Sequence, residues 1–316
     1  MKSLNKKYRV IKKITKKKFN RSNDFSSGEI CIDRPVGGIG DVLMASVAMR
    51  ELKKQCPGIV LTVSLDRHTT YDDTYYKLLF NAPFIDRFED SRYVIRERYK
   101  KYFNIKSVCI EHEYSGRPEM NRIDIFAKAC KVKKVSSWTP FYLETNEEQI
   151  DADEIFIPYG DKLKFFIHSA SNEGKRSYAP EHTKTLISLL RKEYPESIIF
   201  VSDFNRVLKK QEYSDNIVDV SELDIRQSAS YIKRCDLFFG PDSGLMHLAA
   251  AVKTKSLVVF GSIPPSSRIN HYTTHKSIRL EELDCLGCWY KACPISVRCM
   301  KDLRPERVLD RIKEML

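Results

Sequence analysis

The segment from Phe239 to Ala251 carries the densest group of side chains that could do chemistry. It reads FGPDSGLMHLAAA and continues the apolar run CDLFF, which is typical of a buried strand. A hydroxyl and small residues at a helix start leave backbone N–H groups available to an anion. The pattern therefore predicts an anion-binding helix start that includes Asp242, Ser243, Gly244, Leu245 and His247. The alternative is an ordinary capped helix in which His247 is a satisfied core residue.

A second segment of this kind lies far upstream, where RPVGGIGDVLM (residues 34–44) follows the strand-like EICID. Its G-G-x-G turn allows a ligand or a second domain to approach the backbone closely. The spacing differs from the G-x-G-x-x-G dinucleotide fingerprint. Asp41 lies in the first turn of the predicted helix, where an acid is favoured by the helix dipole. It is also a candidate general base above the strand ends.

Four cysteines near the C-terminus form a separate pattern, with two, four and five residues between Cys285, Cys288, Cys293 and Cys299. Four thiols so close together fit a closed tetrahedral site for zinc or iron. Such a site would be structural, because no ligand position stays open. Two disulfides and four free thiols are the alternatives. Because the chain shows no export signal, a reducing compartment is expected.

The elements that must position these residues alternate between strand-like and helix-like segments on both sides of a polar, acidic stretch at residues 144–164. Alternation of this kind predicts parallel strands with crossover helices. Ser107–Ile110 is among the predicted strands, and Ile155–Pro158 is a strand-like fragment within the acidic stretch. The expected fold is α/β, with two tandem Rossmann-like, doubly wound parallel-sheet domains facing a cleft where ligands bind.

The expected boundaries are a basic tail at residues 1–28, an N-terminal Rossmann-like domain at 29–150 and a C-terminal Rossmann-like domain at 151–316. The Cys-rich loop 285–299 belongs to the last domain. The tail carries +9 of the formal net charge of +12. Its apolar residues approximate a helical stripe, which suits an anionic membrane surface. A nucleic-acid partner and a solvated tail are the alternatives. No apolar run approaches the roughly 20 residues that span a membrane.

Four parts of the chain resemble glycosyltransferase family 9, the ADP-heptose heptosyltransferases of lipopolysaccharide assembly, which have the GT-B fold. The resemblance extends over residues 29–316. Its segments are GGIGDVLMASVAMRELKKQCPG, FFIHSASNEGKRSYAPEH, GPDSGLMHLAAAVKTKSLVVFGSIPP and CMKDLRPERVLDRI. The third is the most specific. Ala170 and the run SYAP at residues 177–180 depart from the family pattern in the phosphate loop.

The resemblance implies that residues 29–150 form the acceptor domain and residues 151–316 the nucleotide-sugar domain. It also implies a role for each matching residue. Asp41 corresponds to the catalytic base, and Asp242 to the acid that hydrogen-bonds the donor sugar. Lys175 corresponds to the lysine on the donor phosphates, with Ser171 beside it. The helix-start residues that cradle the diphosphate are Ser243, Gly244, Leu245 and His247. Topology alone places Asp203 and Phe204 near an adenine pocket. Candidate acceptor contacts in the variable loops are Arg67, His68, Arg117 and Arg122.

The implied function is inverting, metal-independent transfer of a sugar, heptose from ADP-heptose above all, to a glycan or lipopolysaccharide-type acceptor. Catalysis would need no cofactor, and any metal would be structural. The implied partners are a nucleotide-sugar donor and a glycan, lipid-linked or protein acceptor. A cytoplasmic protein at the inner face of the membrane is expected. Two alternatives stay open: a GT-B enzyme that modifies protein or DNA, and a non-catalytic nucleotide-sugar-binding protein.

Overall fold

A computed structural model describes residues 27–34, 37–66, 73–113, 120–202, 206–289 and 293–316 of the 316-residue chain. The strands in these ranges are β1 (Ser27–Arg34), β2 (Gly58–Leu65), β3 (Arg87–Asp90), β4 (Lys101–Asn104), β5 (Lys164–His168), β6 (Ile198–Ser202), β7 (Ile217–Asp219), β8 (Leu237–Pro241), β9 (Ser256–Val259) and β10 (His275–Ile278). The α-helices are α1 (Ile39–Gln55), α2 (Thr74–Leu79), α3 (Val108–Glu113), α4 (Arg122–Ala129), α5 (Asn146–Phe156), α6 (Pro180–Glu193), α7 (Ile225–Lys233), α8 (Gly244–Ala251), α9 (Arg298–Lys301) and α10 (Pro305–Lys313).

The strands form two sheets, one in each half of the described chain. The first has four strands in the order β3-β2-β1-β4, and the second has six in the order β10-β9-β8-β5-β6-β7. Every pairing between these strands is parallel, and α-helices form several of the crossover connections. Two parallel-sheet α/β halves of this kind confirm the GT-B prediction. None of the described helices has the length and apolar character that crossing a bilayer requires.

The central strands form because their apolar side chains are covered on both faces. In β1, Ile30 and Ile32 are fully buried, and in β8 Phe238 and Phe239 are as well. Helix α1 is buried around most of its circumference, because sheet residues, α4 and α8 all pack against it. One cluster of buried side chains therefore contains residues from both halves, including Leu43 and Met246. A second cluster lies between the six-stranded sheet and the helices α6 and α10.

Two local predictions were wrong. Ser107–Ile110 is not a strand, because it leads into α3: the Glu111 N–H donates to the Ser107 carbonyl at 2.8 Å, and the Ser107 hydroxyl donates to the Glu111 carboxylate at 2.6 Å. The neighbour of β1 on that side is β4, in which only Phe103 is buried, so no apolar run marks it. Ile155–Pro158 spans the end of α5 and a 3₁₀ turn, in a helix that begins with a capping box from Thr145 and Glu148.

Candidate functional site

The candidate site lies where the starts of helices α1 and α8 meet. The strand–turn–helix segments β1–α1 and β8–α8 bring Asp41 and Asp242 to the carboxyl ends of the two sheets, where ligands of doubly wound folds bind. The helices approach closely because glycines stand at the contact. A Cβ added to Gly40 would overlap the His247 ring, and one added to Gly244 would lie 2.9 Å from Ile39 Cβ.

Asp41 is held by two arginines from different elements. Arg34 Nη2 donates to Oδ2 at 2.8 Å from the end of β1, and Arg122 Nη1 donates to Oδ1 at 2.7 Å from the start of α4. Burial opposes ionisation of this carboxyl. The guanidinium groups of Arg122 and Arg34, with Arg268 further away, outweigh it and hold the pKa of Asp41 well below its usual range. Asp41 is therefore an ionised carboxylate with both oxygens engaged.

Asp242 is held in a similar way on the other side of the site. Arg176 Nη1 donates to Oδ2 at 2.9 Å, and Arg268 Nε lies 3.6 Å from the same oxygen. Burial again opposes ionisation, and Arg268 and Arg176 reverse its effect, so the pKa of Asp242 is lowered. The buried carboxylate is thus ionised and paired.

The other predicted residues at the start of α8 differ in position: three form the helix start itself, and His247 points into the protein. Ser243 is the residue before the first turn of α8, and Gly244 and Leu245 open the helix. His247 faces inward: Nδ1 lies 2.8 Å from the Tyr272 hydroxyl, and burial lowers the pKa of the imidazole to about 3. His247 is therefore a neutral residue that packs the junction of the two helices.

Some of the buried polar atoms that have no hydrogen-bond partner among the described residues lie at this junction, and others lie elsewhere. Within the described residues, such atoms include Ser243 Oγ on the α8 side, Arg34 Nε on the α1 side and Arg176 Nε in the loop after β5. Ser262 Oγ, after β9, is another. Because native proteins rarely leave buried polar groups unpaired, the unpaired atoms of Ser243, Arg34 and Arg176 are available to a polar ligand.

The loop after β5 brings Ser171 and Lys175 to the same side as α8. The Ser171 hydroxyl donates to the Asp242 carbonyl at 3.2 Å, which ties this loop to the helix start. Lys175 lies in a 3₁₀ turn with its Nζ 3.3 Å from Glu173 Oε2. Its neighbour Arg176, not Lys175, contacts the Asp242 carboxylate.

The Cys-rich loop lies behind the site. Its backbone pairs with the segment after β9: Gly287 N–H donates to the Gly261 carbonyl and Trp289 N–H to the Ser262 carbonyl, both at 2.9 Å. The Arg268 guanidinium lies over the Trp289 ring, 5.3 Å from its centre. The loop therefore contacts an arginine that reaches Asp242.

The four cysteines of this loop are free thiols in the structure. Burial, together with the nearby thiols of Cys293, Cys288 and Cys285, raises the pKa of Cys299 to about 11. Cys293 Sγ accepts a hydrogen bond from Val297 N–H at 3.2 Å. Over the described ranges, no three His, Cys, Asp or Glu side chains are arranged to hold a metal ion.

Sequence reasoning identified Asp41 and Asp242 but missed most of the charges around them. The sequence marks Arg34 only weakly, as a charged residue at the end of an apolar strand. Arg176 could have been suspected because it follows Lys175, the predicted phosphate contact. Glu113 and Arg268 have no local signal, because only tertiary packing brings them together. Arg122, predicted as an acceptor contact, lies on Asp41. Five candidates fall outside the described residues: Arg67, His68, Arg117, Asp203 and Phe204.

Comparison with known proteins connects this arrangement to one family. The model of glycosyltransferase family 9 (heptosyltransferase) matches residues 107–297, which is more than half of the chain. The match includes the loop after β5, the start of α8 and most of the Cys-rich loop.

Curated relatives and solved structures agree with that match. Lipooligosaccharide heptosyltransferase 2 from Campylobacter jejuni subsp. jejuni serotype O:2 is 38% identical over 95 residues, and this similarity spans 29% of each chain. Lipopolysaccharide heptosyltransferase 1 from Campylobacter coli is 22% identical over 295 residues, which cover 72% of this chain and 83% of that protein. The structure of ADP-heptose LPS heptosyltransferase II from E. coli superposes with a TM-score of 0.67 at 14% identity, covering 91% of this chain and 98% of that one. This last likeness concerns the fold.

Proposed function

The chain belongs to glycosyltransferase family 9, and from that premise we propose that it transfers heptose from ADP-heptose to a lipopolysaccharide-type glycan with inversion at the anomeric carbon. The observation that carries the proposal is the meeting of two helix starts. One presents the partly buried carboxylate of Asp41, and the other presents Ser243, whose buried hydroxyl has no partner within the described residues. A general base thus faces an anion-binding helix start.

The proposed reaction assigns the two helix starts different tasks. Asp41 accepts the proton of the acceptor hydroxyl as the oxygen attacks the anomeric carbon. The bond from that carbon to the diphosphate breaks, and ADP leaves with the electron pair. Backbone N–H groups of α8, the Ser243 hydroxyl and Lys175 stabilise its negative charge. Attack from the face opposite the leaving group inverts the anomeric centre.

The donor sugar would be oriented by Asp242. Its buried carboxylate is kept ionised by Arg176 and Arg268, so it accepts hydrogen bonds from sugar hydroxyls. The cations around the site also favour an anionic donor, because the four arginines on Asp41 and Asp242 outnumber the three carboxylates with which they pair most closely, Asp41, Asp242 and Glu113.

The test is to incubate the protein with ADP-heptose, UDP-glucose or GDP-mannose and a deacylated lipooligosaccharide core. Mass spectrometry identifies the nucleotide released and the mass added to the core, and NMR gives the anomeric configuration of the product. ADP release with one heptose added in inverted configuration is expected. Binding of ADP-heptose without turnover would instead identify a non-catalytic binding protein, and a retained configuration would contradict the mechanism.

For the Cys-rich loop, we propose that Cys285, Cys288, Cys293 and Cys299 bind one structural zinc or iron ion. The support is the sequence spacing of four free thiols within one short loop, and in the described residues these thiols are not arranged around an ion. The ion would hold the loop that carries Trp289 against Arg268. No catalytic step depends on it.

For the basic tail, we propose peripheral contact with an anionic membrane at the cytoplasmic face. Residues 1–26 lie outside the described residues, so the support is the sequence: a charge of +9 over residues 1–28 and an apolar stripe among the basic residues. Each basic residue near an anionic surface contributes about 1 kcal/mol to binding.

A further inference from the structure

The two carboxylates of the proposed site are connected by a third, Glu113, which ends α3. Arg122 donates to it twice, from Nε to Oε1 at 2.7 Å and from Nη2 to Oε2 at 2.8 Å. Arg268, from the other half, donates from Nη1 to Oε1 at 3.2 Å. The Glu113 side chain is 7% exposed. Glu113 therefore connects the arginine on Asp41 with the arginine near Asp242.

The geometry of Arg122 shows what this third carboxylate does. A guanidinium binds a carboxylate most strongly through two parallel N–H groups. Arg122 directs that paired edge to Glu113 and leaves only Nη1 for Asp41. Without Glu113, the buried cation would have Asp41 as its nearest carboxylate. A paired contact there would occupy the base and weaken it further.

We propose that Glu113 is a positioning residue that keeps Arg122 from pairing fully with Asp41, so that Asp41 accepts one N–H group from Arg122 instead of two and keeps a lone pair for the acceptor hydroxyl. Arg268 holds Glu113 in place from the donor side, so the state of the base depends on the contact between the two halves. The proposal rests on Asp41 being the base of the proposed transfer.

The kinetic test uses ADP release from ADP-heptose with the deacylated core at saturating concentration. Glu113→Gln keeps the shape of the side chain and removes its charge, so kcat should fall by roughly tenfold or more while the KM for ADP-heptose changes less than about twofold. Adding Arg122→Gln should raise kcat again, because the competing cation is gone. Glu111→Gln is the matched control: this exposed carboxylate on the same helix bonds only Ser107 among the described side chains, and kcat should not change.

The rescue separates positioning from a structural role, because a second buried substitution would not repair a damaged fold. A double variant no faster than Glu113→Gln would overturn the proposal, as would equal losses in kcat and in ADP affinity. If the wild-type protein releases no ADP, the proposed transfer fails. The effect of Glu113 on Asp41 can then be decided by a measurement that needs no substrate.

That measurement is a carboxyl-carbon NMR titration of Asp41, assigned with Asp41→Asn. The charged and titratable groups around Asp41 come from four elements and one loop: Arg34, Cys109, Glu113, Arg122, His247 and Arg268. Arg122→Gln should raise the titration midpoint of Asp41, because a cation that lowers the pKa of this carboxyl is lost. When Glu113→Gln is combined with Arg122→Gln, the Asp41 midpoint should be lower than in Arg122→Gln alone, because a negative charge near Asp41 is lost. An Asp41 midpoint that does not respond to Glu113→Gln would show that the two carboxylates are not coupled.

Discussion

The cleft and the Cys-rich loop lie against each other, yet they are built in opposite ways. In the cleft, ion pairs join residues far apart in the chain, such as Arg268 and Glu113. In the loop, four thiols lie within a short stretch of sequence, and the loop contacts the cleft mainly through Trp289 and Arg268. The positions of the charges in the cleft therefore depend on how the two halves pack, whereas the cysteines of the loop are brought together by one short segment of the chain. Changes in the cleft should lower turnover, and changes in the loop should lower stability.

The largest effect is expected from Asp41→Asn. The amide cannot take the acceptor proton, so kcat should fall by roughly two to four orders of magnitude in the ADP-heptose assay. The affinity for ADP, measured by calorimetry, should stay near that of the wild type because Asp41 lies on the other helix start. Near-wild-type turnover would remove Asp41 from the mechanism.

A smaller loss is expected at the donor side. Lys175→Ala removes a cation proposed to contact the diphosphate, so the affinity for ADP should fall roughly tenfold by calorimetry. Asp242→Ala should weaken use of ADP-heptose but not binding of free ADP, which has no sugar. Lys192→Ala, at an exposed position on α6, is the control and should change neither. Unchanged ADP affinity in Lys175→Ala would show the phosphate assignment to be wrong.

The contact between the halves can be tested with a single methyl group. In Gly40→Ala the new Cβ would overlap the His247 ring, so the free energy of unfolding should fall by about 1–3 kcal/mol, and turnover should fall as the helix starts separate. Gly38→Ala is a matched control two residues away. Its backbone is extended and nothing lies within 4 Å of the added Cβ. Chemical denaturation of both variants measures the difference, and equal stability would mean that the close approach is not maintained in solution.

Changes in the Cys-rich loop should lower the stability of the protein and leave ligand binding almost unchanged. Elemental analysis should find about one zinc or iron per chain, and removal of the ion by a chelator should lower the melting temperature. Affinity for ADP should change little, because the loop lies behind the site. Cys288→Ser should reproduce the chelator's effect, and Cys56→Ser, outside the loop, should not. A metal-free protein with four reduced thiols and unchanged stability would contradict the metal proposal.

The smallest effect on turnover is expected from removing residues 1–26. Because β1 begins at Ser27, both sheets should still form. Turnover on a deacylated core should be unchanged, while binding to phosphatidylglycerol vesicles at low salt should be lost. Phosphatidylcholine vesicles are the control. Retention of DNA or RNA by the full chain but not by the truncated one, with no vesicle binding, would favour the nucleic-acid alternative.

The sequence by itself determined most of the strands and helices and the strand ends at which ligands are expected to bind. Buried runs such as Phe238 and Phe239 next to a small-residue helix start predict a strand–turn–helix unit at its correct place, because local hydrophobic periodicity decides it. The placement of Asp41 and Ser243 at helix starts follows in the same way. The strand predicted at Ser107–Ile110 failed because apolar residues in a short segment fit either a strand or a helix.

Only the tertiary structure decided how the charges pair. Arg122 lies on Asp41 and Glu113, and Arg268 reaches Glu113 and Asp242 from the other half. No local pattern predicts these pairs, since each depends on how two sheets and their loops pack. Because pairing and burial together set the pKa of a carboxyl, the state of the proposed base is a property of the folded cleft and not of its motif.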